Sequence, residues 1–297
     1  MPQLSSFLQK MFPAKLSPEL LKSQLDAYLV GQYIGQVIRE KRPALISRLG
    51  WTEATCLGIY LQNGGKSDDA LRQRIWRFSG VFPPSENQFS EFAQEYLGAI
   101  ADVDLMGILS SPHEKFLVEK YGKDPLLTTL GSLEPYYVAD PWSQWLAGRK
   151  VLVVHPFVES IKSQYSSVRE RIFLNPKVLP EFDLQVVPAP QTIAGNSSEY
   201  ESWNAGLKFL RDEVSRRDFD VAILGCGAYG LPLGATIKKL GKVCVHLGGS
   251  TQVLFGITGA RWKTQPSFRA LQTDAWITPL ESERPANWQK VEGGCYW

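Results

Sequence analysis

The sequence has no long hydrophobic run, few cysteines and almost no net charge. Eighteen consecutive apolar residues occur nowhere, so it predicts no membrane span. The segment from Met1 to Leu16 lacks the unbroken apolar core of a signal peptide, which favours a cytoplasmic protein. A net charge of +2 over 297 residues provides no strongly basic face, and this argues against nucleic acid as a partner.

The cysteines favour reduced thiols over disulfides. None of the four forms a Cys-x-x-Cys pair, and two of them lie in apolar or glycine-rich runs. Isolated cysteines in such runs are typical of buried, unpaired side chains. The four residues are Cys56, Cys226, Cys244 and Cys295.

The composition is that of a globular protein, with 44% hydrophobic and 21% charged residues. No internal repeat or low-complexity tract is visible. The chain divides into a first half, residues 1–145, and a second half, residues 146–297, which we expect to form one compact unit. Proline, tyrosine and glycine are frequent from Ser111 to Trp145, and this stretch is interpreted as an irregular connector between the halves.

Four elements are predicted in the first half. Apolar residues at helical spacing predict an amphipathic helix from Ser17 to Glu40. The apolar run from Pro43 to Gly50 predicts a buried strand that ends in a turn, with a helix beginning near Thr52. Another helix is predicted from Ser85 to Ala101, with the Ser85 side chain as its N-cap.

In the second half, apolar strands alternate regularly with helices. Strands are predicted at Lys150–His155, Phe182–Val187, Phe219–Leu224 and Lys242–His246, and helices at Glu159–Phe173, Trp203–Arg217 and Leu231–Leu240. Because these strands are apolar throughout, they predict a mostly parallel sheet covered by helices on both faces. We therefore expect a Rossmann-like α/β fold, with ligands at the carboxyl ends of the strands.

A glycine-rich turn follows one of these strands. The segment Gly225-Cys-Gly-Ala-Tyr-Gly230 has the GxGxxG spacing and leads into a predicted helix. In such turns Gly225 permits the tight bend, Gly227 lets a diphosphate approach the backbone, and Gly230 allows close packing. Ala228 and Tyr229 complete the predicted phosphate-binding turn. The alternative is a tight turn with no ligand.

A nicotinamide dinucleotide fits this turn less well than another phosphate ligand. Its ribose would require an acidic residue at the end of the next strand, about twenty residues further on. That strand ends in Val245-His-Leu-Gly-Gly249, which contains no carboxylate. An NAD(P)-dependent oxidoreductase is therefore kept as an alternative only.

Further polar or small residues lie at other predicted strand ends. His155 and His246 each end a strand, where they either bind ligand or serve as satisfied core groups. The turn from Gly248 and Gly249 to Gln252 would present backbone amides to an anion. Three more side chains either reach a phosphate or sugar, or are ordinary structural groups. These are Gln164, Arg169 and Arg261.

The segment from Ser47 to Glu53 places charge on a buried strand. Arg48 needs a carboxylate or phosphate partner there, because an unpaired buried charge is costly. Glu53 lies in the first turn of the following helix. It either caps that helix and pairs with Arg48, or binds a metal ion or sugar hydroxyl, or acts as a base.

Arg48-Leu-Gly-Trp-Thr-Glu53 resembles the Arg-Phe-Gly-Asp-Gly-Glu region of bacterial glycosyltransferases with the GT-D fold. The order of parts is also similar, with the motif strand preceding a glycine-rich strand–turn–helix at residues 219–249. A closer likeness covers most of the chain and is to bacterial GT-D-like proteins of polysaccharide clusters. Its segments are Val151–Phe157, Gly225–Leu233, His246–Gly249, Phe255–Ile257 and Glu292–Trp297.

The resemblance implies a transferase that moves a sugar from a nucleotide-diphosphate donor to a glycan acceptor in surface polysaccharide assembly. The candidate catalytic residues are then Glu53 and Arg48 of this motif, together with the strand-end His155. In the enzymes with Asp-Gly-Glu, the acidic pair is associated with a divalent metal and the donor diphosphate. Here Trp51 replaces the aspartate, so Mn²⁺ or Mg²⁺ would have Glu53 as its one remaining ligand. The alternatives are metal-free neutralisation by arginines, and a catalytically silent nucleotide- or glycan-binding protein; a homodimer is compatible with either.

Overall fold

The computed structural model describes residues 24–196, 198–291 and 293–297. Its centre is one sheet of eight strands in the order β1-β4-β3-β2-β8-β7-β5-β6, and all neighbours pair in parallel. The α/β, Rossmann-like fold expected from the sequence is therefore confirmed. The strands are β1 Gln24–Leu25, β2 Ala44–Arg48, β3 Leu105–Ile108, β4 Leu126–Thr129, β5 Lys150–His155, β6 Asp183–Pro188, β7 Val221–Leu224 and β8 Val243–His246.

Helices cover both faces of the sheet. They are α1 Ala27–Glu40, α2 Trp51–Gln62, α3 Asp69–Ser79, α4 Glu86–Ile100, α5 Glu114–Tyr121, α6 Val158–Ile172, α7 Trp203–Ser215, α8 Gly230–Lys239, α9 Ser250–Leu254, α10 Ala260–Lys263 and α11 Pro266–Arg269. Helices α2 to α5, α7 and α8 pack on one face, and α1, α6 and α9 to α11 on the other.

Strand β5 shows why the central strands are apolar throughout. Leu152 and Val154 point into one core, while Val151 and Val153 point into the other. Successive side chains of a strand face opposite sides, so a strand covered on both faces must be apolar at every position. In the second half the elements begin and end within two residues of their predicted positions.

The first predicted helix is only partly correct. Its residues Ser17 to Ser23 lie outside the described part of the chain. Gln24 and Leu25 form strand β1, and helix α1 begins after Asp26, whose carboxylate accepts a hydrogen bond from Leu29 N at 2.9 Å. The helical prediction for Gln24–Asp26 is wrong because pairing with β4 gives these backbone groups partners outside the helix.

The prediction of an irregular connector from Ser111 to Trp145 is also wrong. This stretch contains helix α5 and strand β4, and strand β3 just before it was not predicted. β3 and β4 have four residues each. Runs this short carry no clear periodicity, and only their pairing in the sheet defines them.

The two halves of the chain share the sheet, because β2 of the first half pairs with β8 of the second. All carboxyl ends therefore lie at one edge. The chain leaves β5 towards β6 and leaves β7 towards β8, in opposite directions, so a topological switch point lies between β5 and β7. His155 and Gly225 flank it.

Two further sequence predictions concern the cysteines and membrane-spanning helices. All four cysteines are buried and free of disulfide bonds, as expected. In the described residues, no helix has the length and apolarity that crossing a membrane requires.

Candidate functional site

The glycine-rich turn lies directly after β7, as predicted, but most of it is filled by protein. A Cβ at Gly225 would lie 2.7 Å from Cβ of Thr251 and closer still to the His155 ring. A Cβ at Gly230 would lie 2.5 Å from Cδ2 of His246. The first and third glycines of the motif thus accommodate buried side chains.

Three of the six amides of the turn already donate to backbone carbonyls. Gly225 N donates to Val154 O at 2.9 Å, and Tyr229 N donates to Cys226 O at 3.2 Å. The N–H of Gly230 donates to Gly227 O. These three amides are therefore not available to a phosphate.

Of the predicted turn residues, Gly227 alone faces solvent. Its φ is +58°, and a Cβ there would be 4.0 Å from the nearest atom, Ser79 O. Ala228 is fully buried, and the buried Tyr229 ring stacks on Trp203 with centroids 5.2 Å apart. At this corner, a ligand would contact Gly227.

Both strand-end histidines are buried and hydrogen-bonded. His155 Nδ1 accepts a hydrogen bond from Phe157 N at 3.0 Å, and His246 Nδ1 lies 2.9 Å from Ser47 Oγ. Burial lowers the pKa of His155 to about 3. Burial, assisted by the Arg48 charge, also lowers the pKa of His246 to about 3. Neutral, enclosed imidazoles fit a positioning role better than proton transfer at neutral pH.

Arg48 ends β2 and lies against the two-glycine loop that follows β8. A Cβ at Gly248, whose φ is +62°, would be 2.9 Å from Nη1 of Arg48. Nε of Arg48 is fully buried and has no hydrogen-bond partner in the described part of the chain. Arg48 is half-buried, and a guanidinium nitrogen that is buried at the carboxyl edge without an acceptor favours an anionic ligand.

Glu53 occupies the first turn of α2 beside this arginine. A Cβ at Gly50 would lie 2.9 Å from Oε1 of Glu53 and closer to Oε2, so the carboxylate folds back over the helix start. Burial raises the pKa of Tyr96, on which Glu53, Arg48 and the Gly50 backbone also act. The carboxylate thus lies at the N-terminus of α2, where the helix dipole favours negative charge, and it shares Tyr96 with Arg48 as a neighbour.

The other side of the two-glycine loop is formed by Arg261 and Tyr296. A Cβ at Gly249 would be 2.7 Å from Cε1 of Tyr296 and 3.7 Å from Nη1 of Arg261. The guanidinium of Arg261 stacks on the Tyr296 ring at 4.6 Å. Gln252 Nε2 donates to Ile257 O at 3.3 Å and to Tyr296 O at 3.1 Å, while its Oε1 is buried without a partner in the described residues. Arg48 and Arg261 therefore flank Gly248 and Gly249. These four residues are called the Arg48 site below.

Two predicted phosphate ligands serve the structure instead. Gln164 is buried and donates to Gly256 O at 3.3 Å and Ala275 O at 2.9 Å. Arg169 lies near the end of α6 that is remote from β5, where it donates to Leu179 O at 3.3 Å. We do not retain either residue in the site.

The structure adds a pair that the sequence interpretation missed. Glu134, in the loop after β4, accepts a short hydrogen bond from Ser250 Oγ, next to Gly249. Burial raises the pKa of Glu134, and the Arg48 charge opposes this rise. Had residues 126–129 been recognised as a strand, Glu134 would have been one more strand-end carboxylate.

Glu114 is a buried carboxylate that the sequence interpretation also missed. It accepts hydrogen bonds from Leu109 N at 3.1 Å and Ser111 N at 3.1 Å. Burial raises its pKa to about 7 despite these bonds and the Arg48 charge. It closes the loop after β3 beneath the Arg48 site.

We expect Glu114 to make stability depend on pH near neutrality. Its folded pKa exceeds the value of an unfolded glutamate, so its contribution is complete below about pH 4.5 and is lost as pH rises through 7. Glu114→Gln should remove this loss, with each unit of pKa shift worth about 1.4 kcal/mol. Urea unfolding from pH 4.5 to 8 measures the unfolding free energy of the wild type and of the variant. Parallel pH profiles of this free energy would contradict the role of Glu114.

The residues present do not fit the divalent metal that the resemblance implies. Within the described residues, no group of three or more His, Cys, Asp or Glu side chains could hold a metal ion. The Glu53 carboxylate is directed at its own helix start, and Trp51 stands at the aspartate position. We therefore derive no step through a metal.

Comparison with known proteins identifies no relative, so the function is argued below from the geometry of the site. No protein-family model matches the chain, and no curated protein or solved structure is significantly similar to it.

Proposed function

We propose that the protein is a sugar transferase that takes a nucleotide-diphosphate sugar as donor and acts in surface glycan assembly. The observation that carries this proposal is the Arg48 guanidinium, held at the carboxyl edge of a parallel sheet with a buried, unpartnered Nε. Such an edge is where α/β sheets bind their ligands. An arginine fork matches the geometry of a diphosphate.

In this proposal the diphosphate lies along Gly248 and Gly249, between Arg48 and Arg261. Both glycines lack the side chains that would otherwise overlap Arg48 and Tyr296, so the loop packs closely against these residues and the two guanidinium groups lie along the same short stretch of backbone. The two arginines would take up the charge that develops on the leaving diphosphate as the bond to the sugar breaks. The filled corner at Gly225 and Gly230 holds His155 and His246 in place beneath this loop.

An acceptor hydroxyl needs a base, and Glu134 is a better candidate than Glu53 or Glu114. The carboxylate of Glu114 is taken up by backbone amides of its own loop. The carboxylate of Glu134 already binds a hydroxyl, that of Ser250, and its raised pKa brings it closer to neutral pH. Glu53 is turned towards Gly50 at the start of its helix. We therefore assign Glu53 to orienting the turn between β2 and α2, which follows Arg48.

The proposal predicts that Arg48 controls nucleotide binding. Nucleoside diphosphates such as UDP and GDP should raise the melting temperature of the wild type. Arg48→Gln should weaken this binding about 10- to 100-fold, because a hydrogen bond to a charged group contributes about 1.5–3 kcal/mol. A thermal-shift titration with and without Mn²⁺ measures the change.

Arg72→Gln is the matched control, since Arg72 lies in the first turn of α3, where it pairs with Glu86 at 3.0 Å. This variant should bind nucleotides like the wild type. An Arg48→Gln protein with unchanged nucleotide affinity would refute the proposed site.

Two further assays separate the alternatives. Transfer and hydrolysis measured over a panel of nucleotide sugars distinguish an enzyme from a silent nucleotide-binding protein. Binding of NADH, followed by its fluorescence, tests an oxidoreductase. The acidic residue that a nicotinamide dinucleotide would need at the end of β8 is absent there, since this strand ends in the buried, neutral His246. Enhanced NADH fluorescence together with no response to UDP or GDP would favour the oxidoreductase.

A further inference from the structure

A surface cleft lies at the carboxyl end of β6, outside the Arg48 site. Its volume is about 420 Å³, which is within the range of small-molecule sites. One wall is the loop after β6, with Gln191 and Tyr200, and the other contains Pro285 and Ala286. The cleft opens at the edge of the sheet where ligands bind in folds of this class.

Side-chain amides hold the two walls together. Gln191 Nε2 donates to Glu283 O at 3.3 Å, and Asn196 Oδ1 accepts from Asn287 N at 3.1 Å. Asn196 Nδ2 also donates to Ile193 O at 2.7 Å, which closes the loop on itself. The cleft is therefore a defined feature of the fold.

The same loop reaches the exposed part of the glycine-rich turn. Thr192 Oγ1 donates to Gly80 O at 2.6 Å, and the neighbouring Ser79 O lies 4.0 Å from the Cβ position of Gly227. Gly227 is the solvent-facing glycine of the turn. The loop that lines the cleft is therefore anchored next to this open corner of the turn.

The lining of the cleft is the chemical opposite of the Arg48 site. Among its described lining residues Glu199 is the one charged side chain, and the rest are proline, alanine, tyrosine, serine and amides. A phosphate would meet a carboxylate with no basic partner there. An aromatic ring with hydroxyl and amide groups suits an uncharged, hydroxyl-rich ligand.

We propose that this cleft binds the acceptor of the transfer, an uncharged saccharide that packs on Tyr200 and hydrogen-bonds Gln191 and Glu199. The identification as acceptor rests on the function proposed above, whereas the saccharide site itself does not. The cleft lies three strands from β8, about 14 Å along this edge, so the saccharide would bind there with its reacting end extending towards the Arg48 site.

Ligand-detected NMR on the full chain tests this directly. The probes are the uncharged disaccharides maltose, cellobiose, lactose and N,N′-diacetylchitobiose, with putrescine as a cationic comparison. At least one disaccharide should bind the wild type, and Tyr200→Ala should weaken that binding about tenfold or more. Tyr28→Ala is the matched control, because Tyr28 is 68% exposed on α1 and should leave binding unchanged.

A second variant guards against a folding defect, since the Tyr200 ring also packs on Phe209 at 5.2 Å. Ala286→Trp fills the cleft from an exposed position and removes no contact of Tyr200. It should abolish saccharide binding while leaving the melting temperature in place.

The outcomes separate the two proposals. Loss of saccharide binding in both variants, with UDP or GDP binding intact, supports the acceptor site. No disaccharide binding, binding of putrescine alone, or binding that neither variant affects overturns it. Saccharide binding by a protein that binds neither UDP nor GDP would contradict the proposed transferase and leave the cleft as a saccharide site.

Discussion

Gly230→Ala is expected to destabilise the protein by about 3 kcal/mol, at the upper end of the cost of overpacking a core. The backbone does not require glycine, because Gly230 has φ −59° and ψ −50°. The cost is steric, since the new methyl group would overlap the His246 ring. That ring is buried and held at Nδ1 by Ser47 Oγ, so it has no room to withdraw. Urea unfolding followed by tryptophan fluorescence measures the change.

The control for this prediction is Gly98→Ala in helix α4. Gly98 is exposed, and a Cβ there would meet no atom within 4 Å. This variant should be more stable by about 0.5–1 kcal/mol, because alanine loses less backbone entropy in a helix.

A double variant tests the steric mechanism. His246→Ala vacates the space that the methyl group needs, so the combined change should cost at least about 1 kcal/mol less than the sum of the single changes. Strict additivity would show that the contact with His246 is not the cause.

Acid is expected to unfold the protein mainly through the two buried histidines. The pKa of His155 and that of His246 are both lowered to about 3, below the ordinary value of about 6.5. A depressed folded pKa means that the stabilisation is complete above about pH 6.5 and is lost as pH falls towards 3. Each histidine should contribute a slope of up to about 1.4 kcal/mol per pH unit in that window.

His155→Asn and His246→Asn test this, because the amide oxygen can replace Nδ1 as a hydrogen-bond acceptor without titrating. Each variant should show a shallower fall in unfolding free energy between pH 6 and 4. The carboxylates common to all the proteins, including Glu114, cancel in the difference. A double variant whose profile runs parallel to that of the wild type would contradict the assignment.

The strand–turn–helix around Gly225 to Gly230 could be predicted because its signals are local. A buried apolar strand, three glycines at fixed spacing and a helix follow one another within one short segment. The Ser85 cap is similar, since its side chain accepts from Gln88 N at 3.2 Å, within one helical turn. Such features need no information from the rest of the chain.

The functions of the glycines could not be predicted in the same way. Gly230 was expected to allow close packing of the helix, and the structure shows that the group it accommodates is the ring of His246 from the next strand. Gly248 likewise receives Arg48, from a strand about two hundred residues earlier in the chain. The residue that a glycine accommodates depends on which strands are neighbours in the sheet. The order of the strands cannot be read from the sequence, because it depends on contacts between distant segments.

The sequence alone determined the class of fold, the positions of the long helices and central strands, and Arg48 as a charge in need of a partner. Local periodicity, capping and the cost of burying charge are properties of short segments, so these features can be recognised without a structure. The tertiary structure alone decided that β3 and β4 belong to the sheet, that Glu134 reaches Ser250, and that a cleft faces β6. These features arise from contacts between distant segments, whose energies exist only once the sheet has brought them together.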